Sequence, residues 1–111
     1  MTVKITPNDK GNPPGKLADA ELHFTEGPLE GLKLIGFGIW ERRVPNKDVE
    51  RDGHMMHHRN VTFPARQYSV NGERRSFGLL RPTLDVAGQD RVREYILQAY
   101  AEFEEQAAVA Q

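Results

Sequence analysis

The dipeptide Asn71-Gly72 constrains this chain more than any other feature. It sits at the centre of NVTFPARQYSVNGERRSFGLLRP, residues 60–82, between two runs of strand-forming residues. A two-residue type I′ turn needs positive φ at both central positions, and Asn-Gly is the pair that adopts it most readily. With that loop the register is fixed. Val70 faces Glu73, Tyr68 faces Arg75, Arg66 faces Phe77, Pro64 faces Leu79 and Thr62 faces Arg81. Side chains alternate across a strand, so Ser69 with Arg74, Gln67 with Ser76, Ala65 with Gly78 and Phe63 with Leu80 fall on the opposite surface. We assign the face with Val61, Phe63, Ala65, Gly78 and Leu80 to the core. The other face interleaves Arg66, Arg75 and Arg81 with Tyr68, Phe77 and Leu79. Arginine beside an aromatic ring is either ordinary cross-strand packing or a surface for phosphates and stacked bases.

The remaining segments place this hairpin (61–81) in a larger pattern. Residues 1–16 hold Pro7, Gly11, Pro13, Pro14 and Gly15 among polar neighbours, the composition of a flexible amino-terminal arm. The single domain is then 17–107. Ala18, Ala20, Leu22 and Phe24 alternate with Asp19, Glu21 and His23, which predicts a half-buried strand over 17–24. A second strand is expected over 32–42, with Leu32, Leu34 and Trp40 on one face and Ile35, Phe37 and Ile39 on the other. Gly36 and Gly38 mark a bulge or the close approach of another element. Residues 43–59 read as a long polar connection carrying His54, Met55, Met56, His57 and His58. From Asp85 to about Ala107 the spacing of Val92, Tyr95, Ile96, Ala99, Tyr100 and Phe103 predicts one amphipathic helix, with Asp85 or Asp90 as its cap. Leu97 falls off that stripe and is expected to be partly exposed.

Composition narrows the chemistry. A length of 111 residues is enough for one modest core, and no apolar run approaches a membrane span or a secretory leader. With no cysteine there is no thiol nucleophile, disulfide or thiolate metal site, and a cytoplasmic location fits best. The net charge of -1 announces no polyanion partner globally, but the charge is unevenly placed. All ten arginines lie between Arg42 and Arg93, whereas Glu94, Glu102, Glu104 and Glu105 make the last segment acidic. Between Arg59 and Arg81 there are five arginines and one acid, Glu73.

Candidate catalytic groups are weaker. His54, His57 and His58 match no defensible zinc spacing, so no metal or other cofactor is expected. Ser69 and Ser76 lack a nucleophile elbow. Asp19, Glu21 and His23 share a strand face and read as its solvent side rather than as acid–base groups. No small-molecule substrate is indicated, and the chain does not read as an enzyme.

Two strands, a hairpin closed by Asn71-Gly72-Glu73, a proline ending the sheet and one carboxy-terminal helix resemble the stage V sporulation protein G family. The similarity covers roughly Leu17 to Glu104. Phe63-Pro64-Ala65-Arg66, Asn71-Gly72-Glu73 and Arg81-Pro82 are similar to the family's Met-Pro-Ser-Lys-Arg, Asp-Gly-Glu and His-Pro-Ile, and Ala99-Tyr100 lies in a similar closing helix. The resemblance implies a small α+β fold, a homodimer joined partly through sheet edges, and a bacterial regulator binding DNA or RNA. The family's basic pair after Met-Pro corresponds to Arg66 and Gln67, so one of its charges is absent, and the histidine connection is longer here.

The expectation is therefore an α+β fold, with an antiparallel sheet of about four strands, the central hairpin and one carboxy-terminal amphipathic helix. Ile35, Phe37 and Ile39 would need a cover beyond that helix, most simply a second protomer. The leading functional reading is nucleic-acid binding through Arg59, Arg66, Tyr68, Arg74, Arg75 and Arg81. The rival is a non-catalytic homodimeric interaction module in which those arginines pair with Glu102, Glu104 and Glu105 of a neighbour.

Overall fold

The computed structural model describes residues 1–45 and 55–109. In chain order these form β1 (Thr2–Pro7), β2 (Lys16–His23), β3 (Lys33–Pro45), β4 (Met55–Thr62), β5 (Ala65–Val70), β6 (Glu73–Gly78) and α1 (Ala87–Val109). The fold is α+β. Strands β1 to β4 make one antiparallel sheet in the order β1-β2-β3-β4, and β5 and β6 make a separate two-stranded sheet.

The core lies between one face of the four-stranded sheet and α1. Alternation puts Ala18, Ala20 and Leu22 of β2, Phe37 and Ile39 of β3 and Val61 of β4 on that face, where Ile96 and Tyr100 of the helix meet them. Val3, Ile5, Leu34, Phe63, Val92, Leu97 and Phe103 pack around this centre. Each large apolar side chain buried this way contributes about 1.5–3 kcal/mol of transfer free energy. The helix contacts both β1 and β4, so it lies across the sheet. Asp85 caps it, its Oδ1 accepting the Ala87 amide at 2.9 Å.

Four expectations are corrected. Residues 1–16 are not an arm: Thr2–Pro7 pairs with β2 along its whole length, Val3 opposite Leu22 and Ile5 opposite Ala20. The Pro- and Gly-rich stretch is confined to the connection, which Asn8 closes by donating to the carbonyls of Asn12 and Lys16 at 3.2 and 3.1 Å. The two faces of β3 also divide differently. Gly36 has φ +106° and marks a bulge, so Leu34 opposes Leu22 while Phe37 opposes Ala20. Leu34, Phe37 and Ile39 thereby share the core side, and Ile35 is thrown outward at 58% exposure. Phe37 and Ile39 are covered by α1, without need of a second protomer.

The third correction concerns the hairpin. It does not continue the main sheet, because the chain turns at Phe63-Pro64. Pro64 is buried against Gly36, where a side chain on Gly36 would come 2.9 Å from the Pro64 Cβ. Phe63 packs edge-on to Phe37 at 5.4 Å. Val61, Phe63 and Leu80 reach the core as expected, but Ala65 and Gly78 are exposed. Of the expected polar connection 43–59, residues 43–45 belong to β3 and 55–59 to β4, and residues 46–54 lie outside the described residues.

Candidate nucleic-acid interface

The hairpin adopts the register that its turn dictates. Asn71 and Gly72 have φ of +53° and +83°, and the pairs run from Val70↔Glu73 to Ala65↔Gly78. The Leu79 amide donates to the Pro64 carbonyl at 3.0 Å, extending the ladder to the hairpin's root. From residue 65 to residue 79 every side chain is exposed, so both faces of the ribbon stand in solvent. Such a ribbon is marginal alone. Its root is held by Phe63, Pro64 and Leu80, and by Gln89, whose side-chain amide donates to the Leu80 carbonyl at 3.2 Å.

Four of the six expected site residues lie on this ribbon. Arg66 opposes Phe77 and Tyr68 opposes Arg75, so one face carries a crossed set of two guanidinium groups and two rings. Arg81, just past β6, brings its guanidinium 4.6 Å from the centre of the Phe77 ring and extends that set. Arg74, opposite Ser69, stands on the reverse face. Glu73 lies within 3.3 Å of Arg75 at the tip; both side chains are more than half exposed, so the pair is weak and water-screened. The planar guanidinium groups can take phosphate oxygens two at a time, and the tyrosine offers a face for stacking.

Arg59 does not belong to this surface. Its residue pairs with Glu41 across β3 and β4 on the helix side of the sheet. There its guanidinium donates to both carboxylate oxygens of Glu104 on α1, at 2.6 and 3.0 Å, and to Glu41 at 3.3 Å. It also lies 5.2 Å from the Tyr100 ring centre. The Glu104 hydrogen bonds, and secondarily Glu41, raise its pKa against the opposing effect of burial. Arg59 is a clamp between sheet and helix. Its partner in sequence, Glu104, is 45 residues away, a separation at which no pattern signals the pair.

The acids of β2 are likewise spoken for. Glu21 accepts from Lys33 at 3.4 Å and lies 3.0 Å from the His23 ring nitrogen; the His23 contact is the largest cause of its lowered pKa. Asp19 pairs with Lys16 at 2.6 Å. His54 lies outside the described residues, as does the side chain of His57, and His58 is exposed on β4. Among the described residues no three histidine or acid side chains converge as a metal site would require, and no helix is long and apolar enough to cross a membrane.

One feature of the open sheet face had no clear sequence signal. Trp40 lies directly opposite Lys16 on one side and Asn60 on the other, a row that crosses β2, β3 and β4. The alternation of Gly38, Trp40 and Arg42 against Phe37, Ile39 and Glu41 carries it, but only once the core face is known. No family model, curated protein or solved structure matches the chain.

Proposed function

We propose that the chain is a non-catalytic nucleic-acid-binding protein whose hairpin, residues 65–81, is the binding element. One observation carries this reading: a two-stranded ribbon stands free in solvent on both faces and bears Arg66, Arg74 and Arg75 against the single acid Glu73, with Arg81 at its base. A two-stranded ribbon is narrow enough for the major groove of duplex DNA, about 12 Å wide. Arginines on both faces of such a ribbon would meet the phosphates of both groove walls. Tyr68 and Phe77 give the same element a means of stacking on unpaired bases. The resemblance to the stage V sporulation protein G family adds the expectation of a bacterial regulator.

Four phosphate contacts set the salt dependence. Binding of labelled duplex, measured by fluorescence anisotropy, should fall with a log–log slope of roughly -3 to -4 in salt concentration. Arg66→Ala with Arg75→Ala should weaken it and lower the slope by about two. A salt-independent affinity, or one untouched by the double variant, would contradict the reading.

A second reading rests on different residues. Leu79, Leu84 and Val86 are 58%, 98% and 72% exposed between β6 and α1, an apolar run that fits a protein contact such as a homodimer. Sedimentation as a monomer at the concentrations used for binding would remove it.

A further inference from the structure

We infer that the open face of the sheet carries a second nucleic-acid site, a stacking platform for one unpaired base centred on Trp40. This rests on the nucleic-acid reading above but uses none of the hairpin residues.

The platform is built into the sheet. Gly38 precedes Trp40 on the same face, and a Cβ at Gly38 would come 2.8 Å from the indole nitrogen and 3.6 Å from Cδ1. Only glycine leaves room for the ring to fold over the strand. The indole N–H donates to Thr62 Oγ1 on β4 at 2.9 Å, and Thr62 donates to the Gly38 carbonyl at 3.4 Å. These bonds fix the ring, which remains only half-buried. Lys16 places its ammonium 5.8 Å from the ring centre while pairing with Asp19.

What surrounds the ring decides the ligand. A groove of about 440 Å³ runs beside it, lined by Pro14, Gly15, Arg42, His58 and Asn60 as well as Trp40. That volume falls within the range of small-ligand sites. Arg42 opposes His58 one step along from the Trp40↔Asn60 pair, so both residues flank the ring. Arg42, His58 and Asn60 are exposed and make no side-chain hydrogen bond or ion pair among the described residues. Glu41, the one acid of the lining, points its carboxylate to Arg59. An aromatic plane, a free amide able to donate and accept, and a free guanidinium match a planar base, its polar edge and its phosphate. A duplex keeps its bases stacked and offers none to the ring, so the ligand is a single strand.

Trp40 is the only tryptophan in the chain, and its own emission therefore reports on the site. The full-length protein is titrated with a short oligothymidylate, following tryptophan fluorescence and, with labelled strand, anisotropy in parallel. The expected result is saturable quenching that tracks the anisotropy, with Trp40→Ala weakening binding roughly 5- to 150-fold, the span of base–aromatic stacking. Because Trp40→Ala removes a packed ring, Asn60→Ala and Arg42→Ala serve as surface variants and should weaken the same titration while the circular dichroism spectrum is kept. Binding by anisotropy with unchanged emission, and affinity indifferent to Asn60→Ala and Arg42→Ala, would overturn this site and leave the hairpin reading standing. Absence of binding to both single strand and duplex would overturn the two together.

Discussion

At the scale of the residue, two side chains that look alike in sequence have opposite roles. Arg59 and Arg66 both flank strand-forming runs, yet among the described residues Arg59 is bound by two carboxylates and Arg66 by none. Arg59→Ala should lower stability by about 1–2 kcal/mol, since the clamp is partly exposed and the cation–π contact adds to it. Its nucleic-acid affinity should stay at the wild-type value, which thermal unfolding and anisotropy together would check. Lysine at this position should recover little, because an ammonium cannot bridge both oxygens of Glu104 in the same plane. Tyr100, under the same clamp, supplies a pH test. Burial, chiefly, and the Glu104 carboxylate raise its pKa in the fold. The folded state thus favours the neutral phenol, a contribution fully present below the unfolded value near pH 10 and lost as pH rises through the higher folded value. Urea midpoints measured up the alkaline range should fall less steeply in Tyr100→Phe than in the wild type. An identical alkaline limb in both would contradict the assignment.

Among the elements, legibility followed the range of the interaction that fixes each one. The hairpin register is a local property of Asn71-Gly72, and the pairs from Val70↔Glu73 to Ala65↔Gly78 are where the turn puts them, whereas Thr62 pairs with Gly38 of β3 instead of facing Arg81. The helix is local too: a single stripe and Asp85 as cap define it, with bounds of Ala87–Val109. Leu97 lies half-buried against the core. Gly36 and Gly38 signalled a bulge or a close approach; Gly36 marks the bulge and lies against Pro64, and Gly38 lies beneath Trp40 and Thr62. The phase shift that the bulge imposes was not legible, because it depends on which β2 residue faces which β3 residue. Strand β1 was hidden for another reason: its alternation of Val3 and Ile5 is short and abuts the prolines and glycines of the next connection. Gly36→Ala tests the bulge directly. Its φ of +106° is hostile to a Cβ, and that atom would press on Pro64, so the loss should be about 1–3 kcal/mol by denaturant unfolding. A neutral outcome would mean that β3 and the hairpin's root are not in contact.

Taken as a whole molecule, the chain separates its charges by element. Helix α1 presents Glu94, Glu102 and Glu105 to solvent, while the ribbon presents its arginines, and the near-neutral total conceals both. If the hairpin is the binding element as proposed, a polyanion should approach by the ribbon and away from the acidic end of the helix. The core is confined to the sheet and helix, so the ribbon can be altered with little effect on global stability. This independence makes Arg66, Arg74, Arg75 and Arg81 clean targets for mutation, unlike Arg59. The most direct measurement is an amide chemical-shift map of isotope-labelled protein titrated with a short DNA duplex. Binding through the hairpin should concentrate the shifts in residues 65–81 and leave those of residues 94–109 unmoved. Shifts confined to the helix or to β1, with the hairpin silent while the duplex is bound, would contradict it.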